Sequence, residues 1–374
     1  MLNQRKQMNK DFLRIISSLI ISFMIINYFN LKNIENTADF ALGKETQYYE
    51  AKNSNNHRIH VTHISGIESL QNLKTDWINR GKNKIILLIG NSQYHSINQF
   101  NDGDINLSEI LFNAFQSQKI DFLTISFPNM NLQEQYLVTE YLSDLPIEIL
   151  LIPVFMDDTR ENLIRNEISD FILKNPKTRS EKSINSFLND KNISLEKNDF
   201  EGLSETPQEK VEMKLNEILN EKFPLWSERA SIRSQLFIYL YKARNFVFNI
   251  SPTTKRKLVP DFYENNLKSL KLILKKRIGS STVLYIPPIR NDVSIPYEQN
   301  EYLKFKKDIQ SIAEQNEAYF LNLESALNNN VWGTKDGTSL SKKSELDFMH
   351  FQYGGHKELS NILFNYLQNL NNDI

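Results

Sequence analysis

The sequence predicts a doubly wound α/β fold built on a parallel sheet of five strands. Five short apolar runs lie along the chain, and segments with helical spacing of apolar residues separate them. Continuous apolar runs are typical of parallel strands that are buried on both faces. Strands that alternate with helices predict βαβ units with right-handed crossovers. The predicted strands are Lys84–Ile89, Asp121–Ser126, Ile147–Ile152, Thr282–Ile286 and Tyr319–Leu323.

Helices are expected between and after these strands. An amphipathic helix from Ile67 to Asn79 precedes the first strand, and the later helices are Leu107–Gln118, Leu132–Leu142 and Lys357–Gln368. We assign the α/β domain to residues 81–374.

A helical insertion, residues 159–279, is predicted within this domain. Helical spacing is found at Leu163–Leu173, Val211–Leu219, Ser227–Phe248 and Phe262–Leu274, and residues 174–205 read as a polar loop. No strand is expected here. Ligands of open α/β sheets bind at the carboxyl ends of the strands. An insertion over that edge either forms a cap that controls substrate access or only packs on the domain without a functional role.

The composition excludes several classes of function. The 44 Lys and Arg against 45 Asp and Glu give a charge of −1, which provides no general attraction for nucleic acid. The chain has no cysteine, so disulfides, zinc–thiolate sites and cysteine nucleophiles are excluded. His57, His60 and His63 have a spacing that can bind metal, but no acidic residue stands beside them. We predict no metal and no cofactor.

The N-terminus predicts a membrane anchor. Residues Ile15–Phe29 contain no charge, and about 18 apolar residues span roughly 27 Å, close to the hydrocarbon core of a bilayer. Four basic residues precede this segment, and only Lys32 follows it closely. The positive-inside rule therefore predicts a cytoplasmic tail (1–11), a single span (12–31), and an extracytoplasmic stalk with the first helix (32–80). A cleavable signal peptide is the alternative.

A candidate nucleophile follows the first strand. In the run Ile89-Gly90-Asn91-Ser92-Gln93, glycine permits a sharp turn that exposes Ser92 at the end of the strand. That position lies near the positive end of the following helix, which suits a nucleophile whose attack generates an oxyanion. The run lacks the glycine spacing of a phosphate-binding or dinucleotide-binding loop.

A candidate base lies near the C-terminus. Asp347 and His350 are three residues apart, and the carboxylate can bind imidazole Nδ1 while Nε2 takes the serine proton. Their place after the last strand can bring them beside the end of the first strand. His95, three residues after Ser92, is a second candidate base, but no carboxylate stands near it in sequence.

These two blocks resemble the SGNH (GDSL-like) hydrolases. The Gly90–Gln93 run is similar to their nucleophile block, with Asn91 where Asp is usual. The C-terminal run matches their last block at Asp347, His350, Gly355 and His356. The resemblance covers residues 82–158 and 280–370, and it implies Ser92 as nucleophile, His350 as base and Asp347 as its partner.

The oxyanion-hole residues of that family are replaced here. Where the family has a glycine after strand two and an asparagine after strand three, this chain has Ser126–Asn131 and Pro153–Arg160. The remaining candidates are Gln93, Asn129 and Asn131 as oxyanion or substrate donors, and Arg160 and Arg165 as ligands of an anionic group.

Two functions are compared. The first is a membrane-anchored serine hydrolase or acyltransferase that acts on an acyl ester of an envelope polymer or glycan, with envelope-modification proteins as partners. The resemblance is strongest to anchored members such as the teichoic-acid D-alanylation type, which share the anchor and a Met-His ending like Met349-His350. The alternative is a non-catalytic envelope protein that uses the fold to bind a polymer or protein. Hydrolysis and transfer share the same triad, and no motif decides between them.

Overall fold

A computed structural model describes residues 46–53, 55–175, 181–190, 193–195, 229–251, 254–275, 281–340 and 344–373. The predicted anchor, residues 32–45 of the predicted stalk and the predicted helix at 211–219 lie outside these ranges. Within the described ranges, no helix is long and apolar enough to cross a membrane. The chain divides into two compact units, of which one contains residues 1–40, 200–249 and 339–341. The other contains the rest of the chain, including the whole sheet.

The secondary structure follows the alternating pattern that the sequence predicts. The described strands are β1 (Thr46–Tyr48), β2 (His60–Val61), β3 (Lys84–Gly90), β4 (Ser96–Asn98), β5 (Ile120–Ser126), β6 (Ile147–Pro153), β7 (Leu163–Ile164), β8 (Ser194–Leu195), β9 (Ser281–Ile286), β10 (Tyr319–Asn322), β11 (Trp332–Asp336) and β12 (Ser344–Phe351). The described α-helices are α1 (Ser69–Asn79), α2 (Leu107–Phe115), α3 (Leu132–Tyr141), α4 (Asn166–Lys174), α5 (Glu181–Leu188), α6 (Arg229–Val247), α7 (Pro260–Lys275), α8 (Gln299–Gln315) and α9 (Tyr353–Asp373).

The central sheet is parallel throughout and has the strand order β10-β9-β6-β3-β5-β2. All five predicted strands are confirmed, each within one residue of the predicted ends. The sheet nevertheless has six strands, because β2 adds to the edge beside β5. Since β3 lies between β5 and β6, the chain changes direction across the sheet at the carboxyl end of β3. Ligands of open α/β sheets bind at such a switch point.

Part of the segment predicted as a stalk belongs to the α/β domain. Strand β2 pairs with β5, and β1 pairs antiparallel with β4, which directly follows the Ser92 turn. Ala51, Ile59 and Val61 are fully buried in the core. A two-residue strand and a three-residue strand show no usable period in the sequence, which is why this segment reads as polar chain.

The described helices of the insertion in this unit pack on α3. Helices α4, α5 and α7 all contact it, and every residue of α3 is buried. Two short strands, β7 and β8, pair within the insertion, so the prediction that it holds no strand is wrong. Helix α5 also falls in the predicted polar loop. Control of substrate access by the insertion stays a prediction.

A hairpin of β11 and β12 precedes the C-terminal helix. The register moves from Thr334↔Leu346 directly to Trp332↔Phe351. One residue of β11 therefore lies opposite four residues of β12, Asp347–His350. A bulge of this kind bends the strand and redirects its side chains.

Candidate active site

Ser92 begins a single 3-10 turn, Ser92–Tyr94, directly after β3. Asn91 caps this turn, because its Oδ1 accepts the backbone N–H of Gln93 at 3.1 Å. Below the turn, the buried Tyr94 ring packs against Gly90, where a Cβ would lie only 2.7 Å from the ring. Glycine at position 90 thus leaves room for Tyr94, and Tyr94 anchors the turn that holds Ser92 at the switch point.

The bulge of β12 brings Asp347 and His350 together. In a regular strand, residues three apart point to opposite faces of the sheet. Here Asp347 Oδ1 accepts the backbone N–H groups of Met349 and His350 at 2.9 and 3.1 Å, which folds the four residues into a turn. Asp347 Oδ2 then lies 2.9 Å from His350 Nδ1. The carboxylate therefore shapes the bulge and orients the ring.

Ser92 Oγ lies 2.9 Å from His350 Nε2, although the two residues are 258 positions apart. Because the Asp347 carboxylate only accepts hydrogen bonds, Nδ1 of His350 carries the ring proton and Nε2 is free to accept the Ser92 O–H. Burial acts to raise the pKa of Asp347, but the neighbouring His350, Lys335 and the Met349 N–H outweigh it and lower that pKa to about 2. The structure thus arranges Ser92, His350 and Asp347 in the geometry of a serine-hydrolase triad.

A buried carboxyl supports the turn from Asn91 to His95, the nucleophile turn, from the β6 side. Asp158 Oδ1 accepts the side-chain amide of Asn91 at 3.0 Å, and Oδ2 accepts the Phe155 N–H at 3.1 Å. Burial raises the pKa of Asp158 to about 8, against the opposing effect of these two hydrogen bonds. At pH 7 the carboxyl is therefore mostly protonated, and it places no full negative charge beside Ser92. Asn91 and Asp158 are 67 positions apart, so no local sequence pattern links them.

The Gln93 side chain connects the two halves of the site. Its amide donates to the backbone oxygens of Pro288 and Met349 at 2.9 and 2.7 Å. Met349 directly precedes His350, so this amide fixes the turn at Asp347–His350, the base loop, against the nucleophile turn. The amide N–H groups of Gln93 are used within the protein, and substrate contact by Gln93 stays a prediction.

The two asparagines after β5 differ in position. Asn131 is buried and caps α3 through the N–H groups of Gln133 and Glu134, and its amide donates to Leu163 O at 3.0 Å. Asn129 is exposed and adopts a left-handed conformation with φ of 49°. Asn131 therefore serves the fold, and the predicted oxyanion role of either residue stays a prediction.

Both predicted anion ligands are bound to carboxylates. Arg165 makes a two-point ion pair with buried Glu134, at 2.8 and 2.7 Å. Arg160 binds Asp157 at 2.9 Å, and Asp157 also accepts Arg256 and the Tyr297 hydroxyl. The structure thus places Arg160 and Arg165 in internal ion pairs, and anion binding by them stays a prediction.

Histidines other than His350 also surround the turn. His60 Nε2 and His95 Nδ1 each lie 2.7 Å from the Ser126 hydroxyl, at the end of β5. Nδ1 of His356 accepts the Leu107 N–H at the start of α2, and its Nε2 donates to Ser96 O. Neither His95 nor His356 touches a carboxylate in the described residues, and neither replaces His350 beside Ser92. The described residues contain no group of three or more His, Asp or Glu arranged to hold a metal ion.

Comparison with solved structures finds distant neighbours of this chain. No protein-family model matches this chain, and no curated protein sequence matches it. The chain is similar to the acetylxylan esterase Axe2 from Geobacillus stearothermophilus, with 11% identity, a TM-score of 0.35, and coverage of 75% of this chain and 93% of that one. It is also similar to LAE5, an alpha/beta hydrolase enzyme from the metagenome of Lake Arreo, Spain, with 9% identity, a TM-score of 0.37, and coverage of 75% and 94%. Similarity at this level supports no conclusion about activity, which must come from the site itself.

Proposed function

We propose that this protein is a serine enzyme that hydrolyses or transfers the acyl group of an ester through Ser92, His350 and Asp347. One observation carries the proposal, the continuous contact from Asp347 through His350 Nδ1 and Nε2 to Ser92 Oγ, with both polar distances at 2.9 Å. Serine alone is a weak nucleophile and needs an adjacent base that a third group orients.

The chemistry follows from this contact. Ser92 Oγ attacks the ester carbonyl carbon while its proton passes to His350 Nε2, and Asp347 stabilises the resulting imidazolium. The tetrahedral intermediate collapses by breaking the bond to the alcohol oxygen, which takes the proton from Nε2. Water or a hydroxyl of an acceptor then gives a proton to Nε2 and attacks the acyl-Ser92 carbonyl, which releases the acid or the new ester and restores the Ser92 hydroxyl.

A turnover assay tests the proposal. The full chain should release p-nitrophenol from p-nitrophenyl acetate, and Ser92→Ala should reduce that release at least ~10³-fold, the scale of losing a triad member. Ser92→Ala removes one hydroxyl, so its free energy of unfolding should stay within about 1 kcal/mol of the parent value. Equal turnover by the folded variant would exclude Ser92 as the nucleophile.

The location and substrate class form the finer part of the proposal. We propose a single-pass anchor at residues 12–31, an extracytoplasmic α/β domain and an envelope polymer or glycan as the acyl carrier. The support is the uncharged segment with its basic N-terminal flank, together with the resemblance of the two sequence blocks. A reporter enzyme that works only in the cytoplasm, fused after Ile374, should be silent, and strong reporter activity would contradict the topology.

A further inference from the structure

Three hydrogen-bonded side chains, His60, Ser126 and His95, form a row that ends in a buried ring nitrogen beside the nucleophile turn. All three residues are fully buried, and His60 Nε2 and His95 Nδ1 each lie 2.7 Å from Ser126 Oγ. His95 Nε2, at the far end, is buried and has no hydrogen-bond partner among the described residues. A buried polar atom without a partner costs free energy, so its retention needs an explanation.

The hydrogen-bond donors and acceptors around these three side chains determine which nitrogen of His95 carries the proton. The backbone N–H of Ala51 donates to His60 Nδ1 at 3.4 Å, while the nearby Asn106 amide gives its hydrogens to Tyr49 O and Tyr94 O. His60 Nδ1 is therefore unprotonated, and His60 Nε2–H donates to the Ser126 oxygen. Within the described part of the chain, the only acceptor next to the Ser126 hydroxyl proton is His95 Nδ1. His95 Nε2 accordingly carries a hydrogen and is a donor.

The backbone keeps His95 close to Ser92. His95 N–H donates to Ser92 O at 3.2 Å and closes the 3-10 turn, with His95 as its C-terminal cap at φ of −126°. His95 Nδ1 is held at Ser126, which pairs in register with Gly90, two residues before Ser92, and His350 is near enough to lower the pKa of His95. Burial first, and then the histidines His60, His63 and His350, hold the pKa of His95 well below its usual value, although the Ser126 backbone opposes this. The ring is neutral at pH 7.

An acyl reaction at Ser92 needs donors that face the oxyanion of the tetrahedral intermediate. The N–H of Phe127, directly after β5, already donates to Gly90 O. The side-chain amides of Asn91 and Gln93 donate to Asp158 and to backbone oxygens. On the nucleophile turn, His95 therefore supplies a side-chain donor that has no acceptor among the described residues.

We infer that His95 is a catalytic residue that donates its Nε2–H to the substrate's acyl oxygen, with Ser126 and His60 fixing its tautomer and orientation. This role rests on the proposed function of Ser92 and adds a neutral imidazole donor to it. A neutral donor suits the site, because a second imidazolium beside His350 would oppose the protonation of His350 during attack.

The tautomer can be read in the unmodified protein. The chain has only six histidines, so ¹⁵N-histidine labelling of the full chain gives a tractable NMR spectrum, and His95→Gln assigns the His95 signals. We expect the Nε2–H tautomer at pH 7 and a downfield shift of that proton when a fluorophosphonate modifies Ser92, since the phosphonyl oxygen occupies the oxyanion position. A protonated Nδ1, or a proton that does not move on modification, would overturn the inference.

Kinetics of matched variants give the second test. His95→Phe keeps the ring volume without the donor, and we expect kcat and the fluorophosphonate labelling rate to fall about 10²-fold with KM within about threefold. His95→Gln returns an N–H donor and should recover about tenfold of that loss. If the wild type labels on Ser92 and His95→Phe labels equally fast, this inference fails while the proposed function stands. If the wild type does not label at all, both fail.

Discussion

Asp347 uses both carboxylate oxygens for different tasks. Oδ1 folds the bulge of β12 by accepting two backbone N–H groups, and Oδ2 holds the His350 ring. The shape of the base loop and the tautomer of the base therefore depend on one side chain. Separating the two tasks requires a substitution that keeps one oxygen and changes the other.

Asp347→Asn makes that separation. The amide oxygen can still accept the backbone N–H groups, while the amide nitrogen would face His350 Nδ1 and favour the tautomer with the proton on Nε2. We expect kcat to fall about 10⁴-fold with the fold retained, the scale seen when a triad carboxylate becomes an amide. Steady-state kinetics and urea unfolding of Asp347→Asn and Asp347→Ala measure this. Loss of less than tenfold in the amide variant would show that Asp347 does not set the tautomer.

The contact of Ser92 with His350 and Asp347 could be predicted from the sequence because these residues carry local signals. Ser92 follows a strand and a glycine, and Asp347 and His350 have a short fixed spacing. The supporting residues have no such signal, since Gln93 binds Pro288 O and Met349 O, and Asn131 binds Leu163 O. Partners of this kind are backbone atoms distant in sequence, so their positions depend on the folded chain.

At the scale of elements, the junction of β3 with the nucleophile turn requires glycine at position 90. A Cβ on Gly90 would lie 2.7 Å from the Tyr94 ring and 2.9 Å from the Pro153 ring. The Tyr94 hydroxyl accepts a hydrogen bond from Tyr285 at 2.9 Å, so the Tyr94 ring has little freedom to move away. The turn must shift if this glycine is replaced.

Gly90→Ala should therefore affect both stability and activity. Overpacking of a dense core costs about 1–3 kcal/mol, and misplacement of a reacting group by about 1 Å costs about 10²-fold in rate. Gly354→Ala is the control, because its nearest neighbour is the end of the Val331 side chain at 3.3 Å. Urea unfolding and ester turnover should change for Gly90→Ala and stay near the parent values for Gly354→Ala. Unchanged turnover by Gly90→Ala would contradict the account of the turn.

The strands that the sequence predicted are those with a largely continuous apolar run, of four to seven residues each, whereas β2, β7 and β8 have two residues each and give no period. Strands β11, with five residues, and β12, with eight, were not predicted, because charged and polar residues interrupt their apolar positions. The bulge in β12 was also not predicted, although the three-residue spacing of Asp347 and His350 was noted in the sequence. Its geometry arises from pairing with β11 and from the Asp347 hydrogen bonds, neither of which is visible in a local pattern.

At the scale of the whole molecule, buried histidines make folding sensitive to acid. Burial lowers the pKa of His60 and His356 to about 3 and that of His95 well below its usual value. The unfolded chain binds these three protons below about pH 6.5, while the folded chain does not. Their contribution to stability is thus complete above pH 6.5 and is lost as the pH falls toward 3. Asp158 has the opposite sign, since its raised pKa favours the folded state more as the pH falls from 8 toward 4.

Between pH 6 and pH 5, unfolding should therefore take up about two protons. The three histidines take up about three, and Asp158 releases about one. Stability should then fall by about 2–3 kcal/mol per pH unit, at about 1.4 kcal/mol for each proton. Urea titrations of the full chain in mild detergent at several pH values measure this slope. His356→Asn should reduce the slope by about 1.4 kcal/mol per pH unit, which corresponds to one proton. A slope near zero would mean that these histidines are protonated in the folded protein.

The mass of the intact chain after reaction with a fluorophosphonate at mildly alkaline pH shows most directly whether Ser92 and His350 act as nucleophile and base. We expect one adduct, located on Ser92 by peptide mapping, no adduct on Ser92→Ala, and labelling at least ~10³-fold slower in His350→Ala. Removal of the His95 donor should slow labelling less than removal of His350. A folded wild-type protein that takes no label, or a Ser92→Ala variant that labels as the wild type does, would contradict the assignment of Ser92 and His350 as nucleophile and base.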